Sequence, residues 1–115
     1  HVNKILKLKK RSEFLVVRDK GIRSAAPGLV LQVLERKDGN SLRVGFTASK
    51  KVGISVQRNR AKRRLRALVD KIFPQNAKGS RDYVLIARSG TLVRAFSQLE
   101  NDLVHLLKRT QSWQT

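Results

Sequence analysis

Apolar residues along the chain fall into distinct periods, and each period predicts an element. Between 81 and 88, RDYVLIAR is an almost unbroken apolar run, the pattern of a central strand covered on both faces. LVLQVLERK, from 29, predicts another strand. SLRVGFTAS, from 41, alternates, with Leu42, Val44 and Phe46 on one face and Arg43, Gly45 and Thr47 on the other. Asp38-Gly39-Asn40 is a strong turn signal between the two, so residues 29–49 read as an antiparallel hairpin.

After Ser55 the period becomes helical. At about 100° per residue, Ala61, Leu65, Leu68, Val69 and Ile72 fall within one arc, a stripe made to pack on a core. Arg58, Asn59, Lys62, Arg63 and Arg66 gather along one flank of that stripe, and Arg60, Arg64 and Lys71 along the other. Gly53 and Ser55 mark the entry, and Pro74 is expected to end the helix. A first helix is expected over SEFLVVRDKG, with Ser12 as N-cap, Glu13 in the first turn and Gly21 as the stop; Phe14, Val17 and Arg18 share a face. A last helix carries Leu99, Leu103, Leu106 and Leu107 to about residue 109, with Thr91 a candidate cap. Residues 1–11, with Lys4, Lys7, Lys9, Lys10 and Arg11, read as a loose basic arm, and 112–115 as a frayed tail.

The order helix, strand, strand, helix, strand, helix predicts one α+β domain over 1–115. It would have a single sheet of about four strands with helices packed on it. A strand–helix–strand crossover carries the basic helix, and the general rule makes it right-handed.

Charge narrows the function. The chain has 115 residues, with 26 Lys and Arg against 8 Asp and Glu, a formal net charge of +18. Self-repulsion on that scale implies a polyanionic partner, nucleic acid before an anionic membrane surface. No apolar run is long enough to span a membrane, and the N-terminal stretch HVNKILKLKKRSEF lacks the apolar core of a secretory signal. Without cysteine, disulfides and thiolate metal sites are excluded, which fits a reducing compartment. The carboxylates are scattered through the sequence and His1 and His105 are far apart, so a protein-borne metal nuclease is disfavoured. No glycine-rich phosphate loop is present. No catalytic residue and no metal ligand is assigned to this chain.

Binding chemistry is what remains. Arginine forks match phosphate geometry, and Asn59 can reach a base edge or a ribose hydroxyl. The helix has no acid before Asp70, unlike a merely solvated face laced with i,i+4 pairs. Cations and an amide on one flank suit folded RNA, recognised by shape and backbone. A second surface is expected where the first helix meets the face of the hairpin that the last helix leaves uncovered. Phe14, Arg18, Val30 and Gln32 are its candidate lining, suited to single-stranded nucleic acid; for Phe14, a plain core position is the alternative.

The stretch RVGFTASKKVGISVQRNRAKRRLR, 43–66, closely resembles the protein subunit of bacterial ribonuclease P. Gly45, Ser49, Lys50 and Lys51, then Arg58, Asn59, Arg60, Lys62, Arg63 and Arg66, stand at close to the family spacing, and SEF, DYVLIAR and LVHLLKR extend the likeness weakly along the chain. The resemblance implies a ribonucleoprotein that removes the 5′ leader from precursor tRNA, with the active site and its divalent metal, Mg²⁺, in the catalytic RNA subunit. It implies one protein per RNA, in the cytoplasm, away from membranes. It assigns RNA binding to Lys50, Lys51, Arg58, Asn59, Arg60, Lys62, Arg63 and Arg66, with Arg60 on the opposite flank from the rest of the helix set. It assigns the single-stranded leader to a groove of Phe14, Arg18, Val30 and Gln32. Arg18 and Gln32 stand where relatives often carry aromatics, which points to polar contacts rather than base stacking. It also implies a left-handed crossover, against the general rule. The alternative function is a small basic ribosomal protein, which has no need of the spaced signature.

Overall fold

The computed structural model describes residues 4–37 and 41–115. In chain order the elements are β1 (Ile5–Lys7), α1 (Arg11–Lys20), β2 (Ile22–Ala25), β3 (Leu29–Glu35), β4 (Leu42–Thr47), α2 (Ser55–Asn76), β5 (Arg81–Ala87), α3 (Ser89–Val93) and α4 (Phe96–Arg109). The architecture is α+β, with one mixed sheet of five strands in the order β1-β4-β5-β3-β2.

β5 occupies the centre, as its apolar run predicts, with Tyr83, Val84 and Leu85 all buried. It pairs antiparallel with β3, from Leu29↔Ala87 to Glu35↔Arg81, and parallel with β4, from Arg43↔Asp82 to Thr47↔Ile86. The expected hairpin is therefore corrected. β3 and β4 run in opposite directions, but β5 lies between them. The turn Asp38-Gly39-Asn40 lies outside the described residues. A strand that is apolar on both faces stabilises the sheet most where two neighbours and two covering layers can reach it, and that demand outweighs local hairpin closure.

The sheet has five strands against the expected four or so, and two of them, β1 and β2, were not placed by the sequence. Residues 5–7, read as part of a loose arm, form β1 along the edge of β4, and Leu8 behind them is buried. Residues 22–25 form β2 on the other edge, antiparallel to β3. Edge strands need only one apolar face or none, so their sequences carry little alternation to find.

The main core fills one side of the sheet. Leu29, Leu31 and Val33 of β3, Leu42 and Val44 of β4, and Tyr83 and Leu85 of β5 meet the α2 stripe of Ala61, Leu65, Leu68, Val69, Ile72 and Phe73, together with Leu99, Leu103, Leu106 and Leu107 of α4. Phe73 and Tyr83 pack edge to face at 4.9 Å. Burial pushes the Tyr83 phenol well above its ordinary range, and its hydroxyl donates to the Lys78 carbonyl at 2.6 Å. On the other side, α1 covers a smaller cluster of Leu8, Val17 and Val84, flanked by Phe14, Leu34 and Ile86.

The helix ends differ from expectation in physically clear ways. Ser12 is not the cap of α1. The helix begins at Arg11, and a Glu13 carboxylate oxygen reaches back to accept the backbone N–H groups of Lys9 and Lys10, each at 2.9 Å. Gly21 is the stop, as expected, its N–H donating to the Val17 carbonyl. Pro74 lies inside α2, which continues to Asn76. So close to the C-terminus the missing N–H costs a single ladder bond, and Ala77 N–H closes the last turn on the Phe73 carbonyl. The C-terminal tail is pinned rather than frayed. Trp113 bridges to Ala77, Gln114 N–H donates to Asn76, Ser112 is fully buried, and Lys108 sits over the Trp113 ring.

Candidate nucleic-acid interface

α2 projects from the turn at 49–52, where Val52 N–H donates to Ser49 and Gly53 N–H to Lys50. Gly53 adopts φ +145°, and a β-carbon there would collide with the Gln57 side chain. That side chain caps the helix instead, its Oε1 accepting the Ile54 N–H at 2.9 Å. With the apolar stripe of α2 locked in the core, the orientation of its flanks is fixed.

The predicted flank is present. Asn59, Lys62, Arg63 and Arg66 line one open hollow of about 470 Å³ together with Val56. Arg58 lies a turn earlier, donates to Ser55 Oγ at 3.0 Å, and shares a second hollow with Lys50, Gly53, Ile54 and Gln57. That hollow borders the N-terminus of α2, whose partial positive charge adds to the cations. Lys51 and Arg60 are exposed and line neither hollow.

Arg64, on the opposite flank, turns inward. Its guanidinium donates to the carbonyls of Thr91, Leu92 and Arg94 at 2.7, 3.0 and 2.8 Å, closing the C-terminal end of α3. Most of the described carboxylates are likewise engaged elsewhere: Glu13 with Arg43, Asp82 with Arg36 and Arg43, Asp102 with Arg94, Glu100 with Lys71; Asp70, late in α2, is exposed. Among the described ion pairs, none involves Lys50, Lys51, Arg58, Arg60, Lys62, Arg63 or Arg66. Nor do three His, Asp or Glu converge anywhere among the described residues. Carboxylates held by arginines do not fit a metal cage.

The second predicted surface is only partly assembled. Val30 and Gln32 share the α1 side of the sheet with Val84 and Ile86 but keep only 4% and 7% of their surface. Arg18 is exposed and pairs with Asp19 at the surface. Phe14 lines a cleft of about 160 Å³, and its companions there are Lys7, Leu8, Val44, Gly45, Phe46, Lys62 and Arg66. Gly45 makes room for the Phe14 ring, since a β-carbon there would come within 2.4 Å of it. Lys7 and Phe46 were not among the sequence candidates. Phe46 read as one more inward residue of its strand, and Lys7 as part of an arm.

An α+β domain that aims at solvent one cationic flank of a docked helix, its cations outside every described ion pair, is a nucleic-acid-binding protein in its chemistry. Comparison with known proteins narrows the class. The family Ribonuclease P matches residues 2–111. The ribonuclease P protein component of Paramagnetospirillum magneticum is 50% identical over 112 residues, covering 94% of this chain and 84% of that one. The structure of the Staphylococcus aureus RNase P protein superposes with a TM-score of 0.78 at 28% identity, covering 96% of this chain and 100% of the other. That of the Thermotoga maritima RNase P protein gives 0.74 at 25% identity, with 90% and 96% covered.

The chain belongs to the ribonuclease P protein family. It is a protein component of the ribonucleoprotein that removes the 5′ leader from precursor tRNA, and its partner is an RNA subunit. The ribosomal-protein alternative gives way to this match. Among the described residues, no helix is long and apolar enough to cross a membrane.

Proposed function

We propose that the chain serves the ribonucleoprotein by binding rather than by chemistry. Asn59, Lys62, Arg63 and Arg66, with Lys50 and Arg58 at the start of α2, grip the backbone of the RNA subunit. Lys51 and Arg60 add long-range attraction. The catalytic centre and its Mg²⁺ lie in the RNA, one protein binds one RNA, and the assembly works in the cytoplasm. The single-stranded leader runs past Phe14, over a sheet face whose floor includes the buried Val30 and Gln32, with Arg18 at its outer margin.

The observation that carries this reading is the flank of α2: fixed by a buried stripe and clear of the chain's own carboxylates among the described ion pairs. Phosphate contacts dominate such affinity and make it fall with salt. The test is Arg58→Ala combined with Lys62→Ala. Each lost phosphate contact reduces the salt slope of RNA-subunit binding by about one, so the double variant loses about two. Precursor cleavage at moderate salt weakens accordingly. Unchanged cleavage and an unchanged slope remove the flank from the interface.

A further inference from the structure

Arg66 belongs to the basic flank, yet its surroundings differ from those of its neighbours. Its Cζ lies over the ring of Phe46, 5.3 Å from the centroid. Phe46 is half-buried and packs on the main core from the far end of β4, so its ring is a fixed surface. Arg66 itself is exposed. A guanidinium held over an anchored ring samples fewer conformations, and because Arg66 is exposed it remains open to a second flat group.

The cleft beside this pair has a matching composition. It joins Lys7 of β1 and Lys62 of α2 with the Phe14 ring, and Gly45 keeps the Phe14 side of it open. No carboxylate lines it. Aromatic surface, a guanidinium over a ring and ammonium groups together suit a ligand with a flat π-face and a negative charge, which describes one unpaired nucleotide.

We propose that Phe46 and Arg66 form a stacking platform for a single unpaired RNA base, with Lys62 and Lys7 facing its phosphate. The proposal rests on the RNA-binding reading above and deepens it, because it gives one flank residue a role that charge alone does not supply. The nucleotide comes either from the precursor leader or from an unpaired position of the RNA subunit, and the chemistry is the same for both.

The test uses the reconstituted ribonucleoprotein with Arg66→Lys, which keeps the charge and loses the flat face, and Phe46→Leu, which keeps an apolar contact and loses the ring. Affinity is measured against salt in separate arms: the protein with the RNA subunit, and the ribonucleoprotein with precursor or mature tRNA. A lost base stack lowers affinity by about fivefold or more, while the salt slope stays at the wild-type value. A loss with leader-bearing precursor and not with mature tRNA names the leader as the source. A loss in the protein–RNA arm names the RNA subunit. Wild-type affinity for Arg66→Lys in every arm overturns the platform, and so does a loss accompanied by a smaller salt slope, which marks a plain charge contact. If Phe46→Leu unfolds, Arg66→Lys decides by itself. Failure of the underlying reading is distinct, since there the unsubstituted protein shows no salt-dependent binding to either RNA.

Discussion

Arg43 and Asp82 stand opposite each other on adjacent parallel strands and are joined by two bonds, 2.8 Å from Nε and 2.6 Å from Nη2. Asp82 is nearly buried and also faces Arg36 Nε at 2.9 Å. The remaining prong of Arg43 reaches Glu13 on α1 at 2.6 Å. Hydrogen bonding to Asp82, more than any other contact, raises the Arg43 guanidinium above its ordinary value. One carboxylate thus bridges two arginines and, through Arg43, ties α1 to the sheet.

Asp82→Ala should destabilise the protein by ~3 kcal/mol, because it leaves two partly buried guanidinium groups facing a void. That is a large share of the stability of a domain this size. Urea unfolding measures it, and Asp82→Asn should fall between the two.

Glu13 gives a pH-dependent counterpart. Its carboxyl is held below the ordinary carboxylate value by the N–H groups of Lys10 and Lys9, with Arg43 adding attraction. A depressed folded pKa contributes stability that is fully present above the unfolded value, near 4.5, and is lost as pH falls through the folded value. Glu13→Gln should therefore lower stability at neutral pH by up to ~1 kcal/mol, the exposed setting limiting the effect. The two proteins should converge in acid, as thermal melts taken from neutral pH downward would record.

Arg64 and Arg63 are neighbours in sequence with opposite duties. Arg64→Leu removes three bonds to the end of α3 and should cost about 1–3 kcal/mol of stability. It should leave the salt slope of RNA binding unchanged. Arg63→Leu should leave stability nearly alone and lower that slope by about one. Equal slopes for the two variants contradict this division.

Gly45 separates β4 from Phe14. Gly45→Ala places a methyl within 2.4 Å of the ring, so the ring or α1 must shift, at about 1–3 kcal/mol. Phe14→Ala in the same background should recover part of that loss, a coupling read from a double-mutant cycle.

What the sequence disclosed follows from how local each signal is. The stripe of α2 is written in residues three and four apart, so Ala61, Leu65, Leu68, Val69 and Ile72 could be placed before any neighbour was known. The long strands β3, β4 and β5 were legible for the same reason, but the short edge strands β1 and β2 and the strand order were not. Turn chemistry at 38–40 reports that two strands are joined by a short link, and says nothing about a third strand entering between them. The double-sided apolar run at 81–87 did carry that information, because a strand buried on both faces wants two neighbours. Alternation also assigned Val30 and Gln32 to the α1 face without revealing how thoroughly that face is covered. For Arg64, the wheel gave the direction of the side chain, but its partners lie 27 to 30 residues away and leave no local trace.

The central position of β5 bears on how the molecule comes into being. Both long strands, β3 and β4, have been synthesised by residue 47, yet each finds its shared partner only when residues 81–87 emerge. Until then the nascent chain has its cationic rod of α2 in place with no finished surface to dock it on, and closing the sheet depends on contacts distant in sequence, which form slowly. During that interval the chain's surplus of positive charge keeps separate copies apart, so the same residues that seek RNA in the finished protein guard the unfinished one against clumping.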